Sequence, residues 1–139
     1  MKKFNQSLLE LHLKFTAVNG EFMDLSITHD GKETKVVPEE NKIIQINITF
    51  PTEVILTTSN KNMDKDTLID ENGKILLDKH IVLTKLIVDR VEVPDFCLVR
   101  LPVSSSGTRN SYFGFNDQFR LSFMEKNSFY WLLATKSAS

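Results

Sequence analysis

The densest group of metal-competent side chains lies in DKDTLIDENGKILLDK, residues 64–79. Calcium is held by roughly six to eight oxygen atoms from carboxylates and backbone carbonyls, and Asp64, Asp66, Asp70 and Asp78 offer carboxylates on one short stretch. The spacing is not that of an EF-hand: with Gly73 as the turn glycine, the first ligand position falls on Leu68 and the last on Lys79. It fits a hairpin around DENGK, whose loop length decides the electrostatics. A three-residue loop, Glu71-Asn72-Gly73, pairs Ile69 with Ile75 and sets Asp66 opposite Asp78, an unfavourable like-charge pair unless a cation or a lysine intervenes. A two-residue Asn-Gly loop pairs Glu71 with Lys74 and removes the conflict. Lys61, Lys65, Lys74 and Lys79 bring the local charge close to neutral. A solvated hairpin is therefore the preferred reading, and a calcium site at Asp64, Asp66, Asp70 and Asp78 the alternative.

A second set is aromatic and polar, in NSYFGFND and SFYWLL. Carbohydrate sites lay an aromatic ring against the C–H face of a sugar and flank it with groups that bond its hydroxyls. Tyr112 and Phe115 are placed to line one end of a sandwich, with Gly114 letting backbone approach closely. On a strand pair built from QFRLSF and SFYWLL, Tyr130 shares a face with Gln118, Arg120 and Ser122, whereas Trp131 alternates with Phe129 and Leu133 and belongs to the core. The expected ligand-binding residues are thus Tyr112, Phe115, Gln118, Arg120 and Tyr130.

Catalysis has little to stand on. His12, His29 and His80 are scattered without metal-ligand spacing, and Ser104 to Ser106 lack the strand-turn-helix context of a nucleophile elbow. Cys97 is the one cysteine, which rules out an intramolecular disulfide; on the expected strand CLVRL it reads as a small buried hydrophobe.

The elements that must carry these residues show period-two alternation. In LHLKFTA, Leu11, Leu13, Phe15 and Ala17 oppose His12, Lys14 and Thr16, and MDLSI alternates in the same way. A three-residue loop in AVNGE would pair Phe15 with Met23 and keep the apolar sets on one face, whereas a two-residue loop would split them. In HDGK a two-residue Asp-Gly loop sets Leu25 beside Val36 and Ile27 beside Thr34. The first forty residues therefore read as a three-stranded meander. Ile44, Ile46, Ile48 and Phe50 alternate in KIIQINITF, HIVLTKLIV is apolar on both faces, and Phe119, Leu121 and Phe123 alternate before a hairpin that pairs Phe123 with Phe129. NQSLLELHL offers a short N-terminal helical turn capped by Ser7. SSSGTRNS, residues 104–111, reads as a mobile loop. About ten short strands with turn signals define an all-β fold, an antiparallel β-sandwich of jelly-roll type.

At 139 residues the chain fits a single domain, 1–139, with 1–9 as an N-terminal arm. Seventeen basic against eighteen acidic residues, net -1, supply no basic field for a nucleic-acid backbone. No apolar run approaches the ~18 residues of a membrane span, and the N-terminus lacks the apolar core of a signal peptide. No nucleic acid and no membrane insertion are expected.

The order of the acidic hairpin and its following strands, then SYFGFND, then FYWLL resembles small β-sandwich modules of the carbohydrate-binding type, some of them in tailed-bacteriophage virion and fibre proteins. The resemblance spans roughly residues 42 to 135. It implies ligand recognition by loops or a sheet face, with calcium in some members, carried by Asp64, Asp66, Asp70 and Asp78 for the cation and Tyr112, Arg120 and Tyr130 for the ligand. The expected function is a non-catalytic attachment or assembly module of a virion-associated protein, with a surface glycan or other protein chains, its own copies included, as partners. A structural oligomeric subunit that binds no small ligand is the alternative, and a glycan-active enzyme a further one.

Overall fold

Alternation in the first strand organises one layer of the molecule. In β1, Gln6–Thr16, the residues Leu9, Leu11, Leu13 and Phe15 are buried while Leu8 and Lys14 are exposed, the pattern of a strand with one face on a core. The computed structural model of the chain describes residues 6–62 and 67–123. The short helical turn expected at the N-terminus is corrected: Gln6 to Leu9 are ladder-paired with β4, Asn41–Thr49. The alternation of Leu9, Leu11 and Leu13 suits a half-buried sheet better than a helix stripe.

All ladders are antiparallel. The first sheet runs β11-β8-β1-β4, with β8 at His80–Val88, β11 at Tyr112–Phe113, and the short β9, Val91–Glu92, beside β8. The second runs β10-β12-β5-β2-β3, from β10 (Val103–Ser104) through β12 (Gln118–Phe123), β5 (Thr52–Ser59) and β2 (Asp24–His29) to β3 (Lys32–Val36). β6, Thr67–Ile69, and β7, Ile75–Asp78, form a separate two-stranded hairpin. The two large sheets contribute to one buried apolar cluster, and aromatic pairs join them: Phe113 on β11 meets Phe119 on β12 with ring centroids 4.2 Å apart. The fold is an all-β antiparallel sandwich of twelve strands among the described residues. No helix among them is long and apolar enough to cross a membrane.

The three-stranded meander holds only in part. β2 and β3 pair in the expected register, Leu25 with Val36 and Ile27 with Thr34, across a two-residue Asp30-Gly31 turn. β1, however, lies in the other sheet. The AVNGE turn is the two-residue form, with Asn19 at φ 55 and Gly20 at φ 79 and reciprocal hydrogen bonds between Val18 and Glu21. Splitting the apolar sets is no penalty once the chain steps from one layer to the other, because the two apolar faces then meet across the core.

Three further expectations change. HIVLTKLIV is apolar on both parities because a bulge interrupts β8: Leu13 faces Leu83 but His12 faces Lys85, so Thr84 is the extra residue. Ile81 and Leu83 before it, and Leu86 and Val88 after it, all point inward. CLVRL is not a strand, since residues Asp95–Leu98 form the short helix α1 behind Pro94, and Cys97 is buried there with its thiol pKa raised by burial. SSSGTRNS is a hydrogen-bonded turn in which Ser104 is buried, accepts from the Thr108 amide at 3.1 Å and donates its own amide to the Thr108 carbonyl at 2.9 Å. Ser and Gly supply no core, but they do supply turn bonds.

Candidate functional site

The β6–β7 hairpin closes with the three-residue loop rather than the two-residue one: Ile69 pairs with Ile75, and Gly73 takes φ 84. Asp70 builds that turn, its Oδ1 accepting from the amides of Asn72 at 2.9 Å and Lys74 at 2.8 Å. A register shift then follows, so that Asp78 stands opposite Thr67. The register set by the three-residue loop therefore does not continue to Asp78, which loop length alone did not reveal.

Asp78 is the centre of the site. Its Oδ1 accepts from Lys61 Nζ at 2.6 Å and Thr67 Oγ1 at 2.7 Å, and its Oδ2 accepts from the Tyr112 hydroxyl. Burial alone would raise the Asp78 pKa, but bonds from Lys61, Tyr112 and Thr67, together with the Lys61 charge, outweigh it and hold the carboxyl below its ordinary value. Tyr112 is pushed the other way, by burial first and then by its bond to Asp78 and that group's charge. Removing Asp78 alone would leave the buried Lys61 ammonium without its counter-charge, a loss of ~3–5 kcal/mol.

Lys61 is the residue that the sequence reading placed among solvated charges. Its side chain is 0% exposed, and Nζ donates to the Gly114 carbonyl as well as to Asp78. The backbone of Lys61 is fixed by Asn116, whose side-chain oxygen accepts from the Lys61 amide at 3.1 Å and whose NH₂ donates to the Lys61 carbonyl at 3.0 Å. Buried Thr58 on β5 pins the same loop, its hydroxyl donating to the Phe115 carbonyl at 2.7 Å and accepting from the Asp117 amide at 3.0 Å. Lys79 is buried too, and donates to the Asn60 carbonyl at 2.8 Å. The hairpin is thus flanked by two sequestered ammonium groups, not by a fully solvated fringe.

Period two on β11 turns Phe113 into the core and Tyr112 outward. The Tyr112 ring stacks on His80 at 4.4 Å, and His80 Nδ1 donates to the Asp78 carbonyl at 2.7 Å. Gly114 is required by contact: a Cβ there would stand 2.6 Å from Tyr112 Cε1. The close backbone approach expected at Gly114 is therefore real, and serves Lys61 and Tyr112 together.

These groups border a pocket of about 200 Å³. Tyr112, Phe115 and Phe119 give it an aromatic wall, and Thr67, Ser104, Thr108 and Asn110 add hydroxyl and amide groups. Of the residues singled out from sequence, Tyr112, Phe115 and Asp78 come together here. Gln118 and Arg120 do not: Phe119 and Leu121 point into the core, so Gln118 and Arg120 lie on the outer face of the second sheet, where Arg120 Nε is 3.4 Å from Glu53. Tyr130, Asp64, Asp66 and the expected Phe123–Phe129 hairpin lie outside the described residues. Lys61, Thr67, Ser104, Thr108 and Asn110 were missed as site residues. Only the lysines near the aspartates signalled that a cation was at hand.

The two described aspartates of the acidic stretch, Asp70 and Asp78, do not form a calcium site with each other. Asp70 and Asp78 sit at opposite ends of the hairpin, about 10 Å apart at ~3.4 Å per residue, too far to share an ion with ~2.5 Å bonds. Each carboxylate is already engaged, by amides or by an ammonium. Among the described residues no group of three or more His, Cys, Asp or Glu converges.

No protein-family model and no curated protein matches the chain. Two solved structures that align with the chain are of the carbohydrate-binding module vCBM60. One solved structure, the selenomethionine form, described with two circularly permuted families of calcium-dependent carbohydrate-binding modules, aligns with TM-score 0.48 and 7% identity over 84% of this chain and 90% of that one. A second, vCBM60 with galactobiose, aligns with TM-score 0.48 and 9% identity over 83% of this chain and 97% of the other.

Proposed function

We propose that the chain is a non-catalytic carbohydrate-recognition module serving attachment, with the pocket at Tyr112 and Phe115 as its ligand site. The observation that carries this reading is the lining. Partly exposed Tyr112 and Phe115 rings stand beside Thr67, Ser104, Thr108 and Asn110 around about 200 Å³, an apolar wall with hydroxyl and amide partners. The volume is below that of drug-sized sites, roughly 300 Å³ and up, and suits one sugar ring at the end of a chain. Among the described lining residues Asp78 is the one carboxylate, so they offer no carboxylate pair for hydrolysis. In a virion-associated protein, the setting that the sequence resemblance implies, several copies would turn weak single sites into firm attachment.

A second reading, a structural subunit joined through an exposed strand, is favoured by β4. This nine-residue strand is at the edge of its sheet among the described residues and carries Ile43 at 57% exposure. A glycan array separates the two. Recognition predicts binding to particular glycans that falls at least ~10-fold in Phe115→Ala, a loss of roughly 1.4 kcal/mol. An array without signal, together with concentration-dependent oligomers abolished by Ile43→Lys, sinks recognition in favour of assembly.

A further inference from the structure

We propose that the Lys61 ammonium is the resident cation of this pocket, so that it takes uncharged saccharides without a metal ion. The partners of Nζ are a carboxylate oxygen of Asp78, at 2.6 Å, and the carbonyl oxygen of Gly114. Those are the two oxygen types from which calcium sites are assembled. The ammonium is no stray surface group: its side chain is 0% exposed, and its backbone is held on both sides by Asn116.

The remaining capacity of Asp78 is largely spent. Three donors, Lys61, Thr67 and Tyr112, use most of the roughly four lone-pair sites of a carboxylate. A divalent ion at Asp78 would have to displace Lys61 into solvent and break its bond to Gly114.

Charge then selects the ligand, a step that rests on the carbohydrate reading above. Among the described lining residues Lys61 and Asp78 are the charged side chains, and they cancel. A uronate, sialylated or phosphorylated sugar would bury its charge there without a free counter-charge, whereas neutral hydroxyls meet Asn110, Thr108 and Ser104.

The test has two arms. In the first, wild-type protein and Asp78→Asn are unfolded thermally in millimolar calcium and in EDTA. The wild-type midpoint is expected to be the same in both, since only a ligand of the folded state raises it. A calcium-induced rise in wild type that vanishes in Asp78→Asn overturns the proposal. A rise of equal size in both proteins puts a calcium ion elsewhere on the folded chain and overturns the metal-free part of the proposal. Should Asp78→Asn fail to fold, reductive methylation of wild type in EDTA reads the same point: Lys61 stays unmodified while Lys85, 43% exposed, reacts. Equal modification of the two overturns it. In the second arm, binding of neutral glycans is expected to change less than twofold in EDTA and to exceed that of acidic ones at least tenfold; a tenfold loss in EDTA or a preference for acidic glycans overturns it. Absence of any glycan binding sinks the carbohydrate reading alone, with the first arm still reporting on Lys61.

Discussion

Asp78 is placed between opposing influences. Burial disfavours its charge, and Lys61, Tyr112 and Thr67 favour it more strongly. With a folded pKa below the ordinary aspartate value of about 3.8, the unfolded chain binds more protons than the folded one just below that pH. Stability from this group is therefore full above that value and is lost as pH falls through the folded pKa. Urea unfolding between about pH 5 and pH 2 is expected to show a steep acid limb that is shallower in Asp78→Asn; parallel curves for the two proteins would refute it. Asp78, Tyr112 and Phe115 were legible as chemistry in the sequence. Lys61 was not, because its burial depends on Gly114 and Asn116, more than fifty residues away.

β8 illustrates how an element can hide its own register. Read as a regular strand, Ile81, Leu83, Leu86 and Val88 cannot share a face, and the segment reads as apolar on both sides. Thr84 resolves this by standing outside the pairing, with its hydroxyl donating to the His12 carbonyl at 3.1 Å. Deleting Thr84 leaves the four apolar residues on one face in strict alternation. It is expected to give a folded protein within about 2 kcal/mol of wild type. Deleting Val82 turns Ile81 outward and drives His80 inward, at a cost of ~3 kcal/mol or more, and removes the ring stacked on Tyr112. Denaturant midpoints compare the two, and equal losses would show that the bulge does not set the faces. The hairpins show the same division: the Asp30-Gly31 register was readable because both strands stay in one sheet, whereas the Asn19-Gly20 register was misjudged because its strands part.

For the whole molecule, the apolar cluster draws on β1, β8 and β11 from one sheet and β2, β5 and β12 from the other. Neither sheet can keep its inner face dry alone. Calorimetry is expected to show one transition with calorimetric and van't Hoff enthalpies equal, and two resolved transitions would show that the sheets unfold separately. The sequence by itself determined which residues of most strands face inward, where several turns fall, and that the fold is all-β. Those properties are local, written in a two-residue period and in residues that accept positive φ. Which sheet each strand joins, and that a buried lysine stands beside Asp78, were decided by the assembled fold. Ladder hydrogen bonds join backbone groups that every strand carries alike, so pairing is settled by how the two apolar faces close on each other.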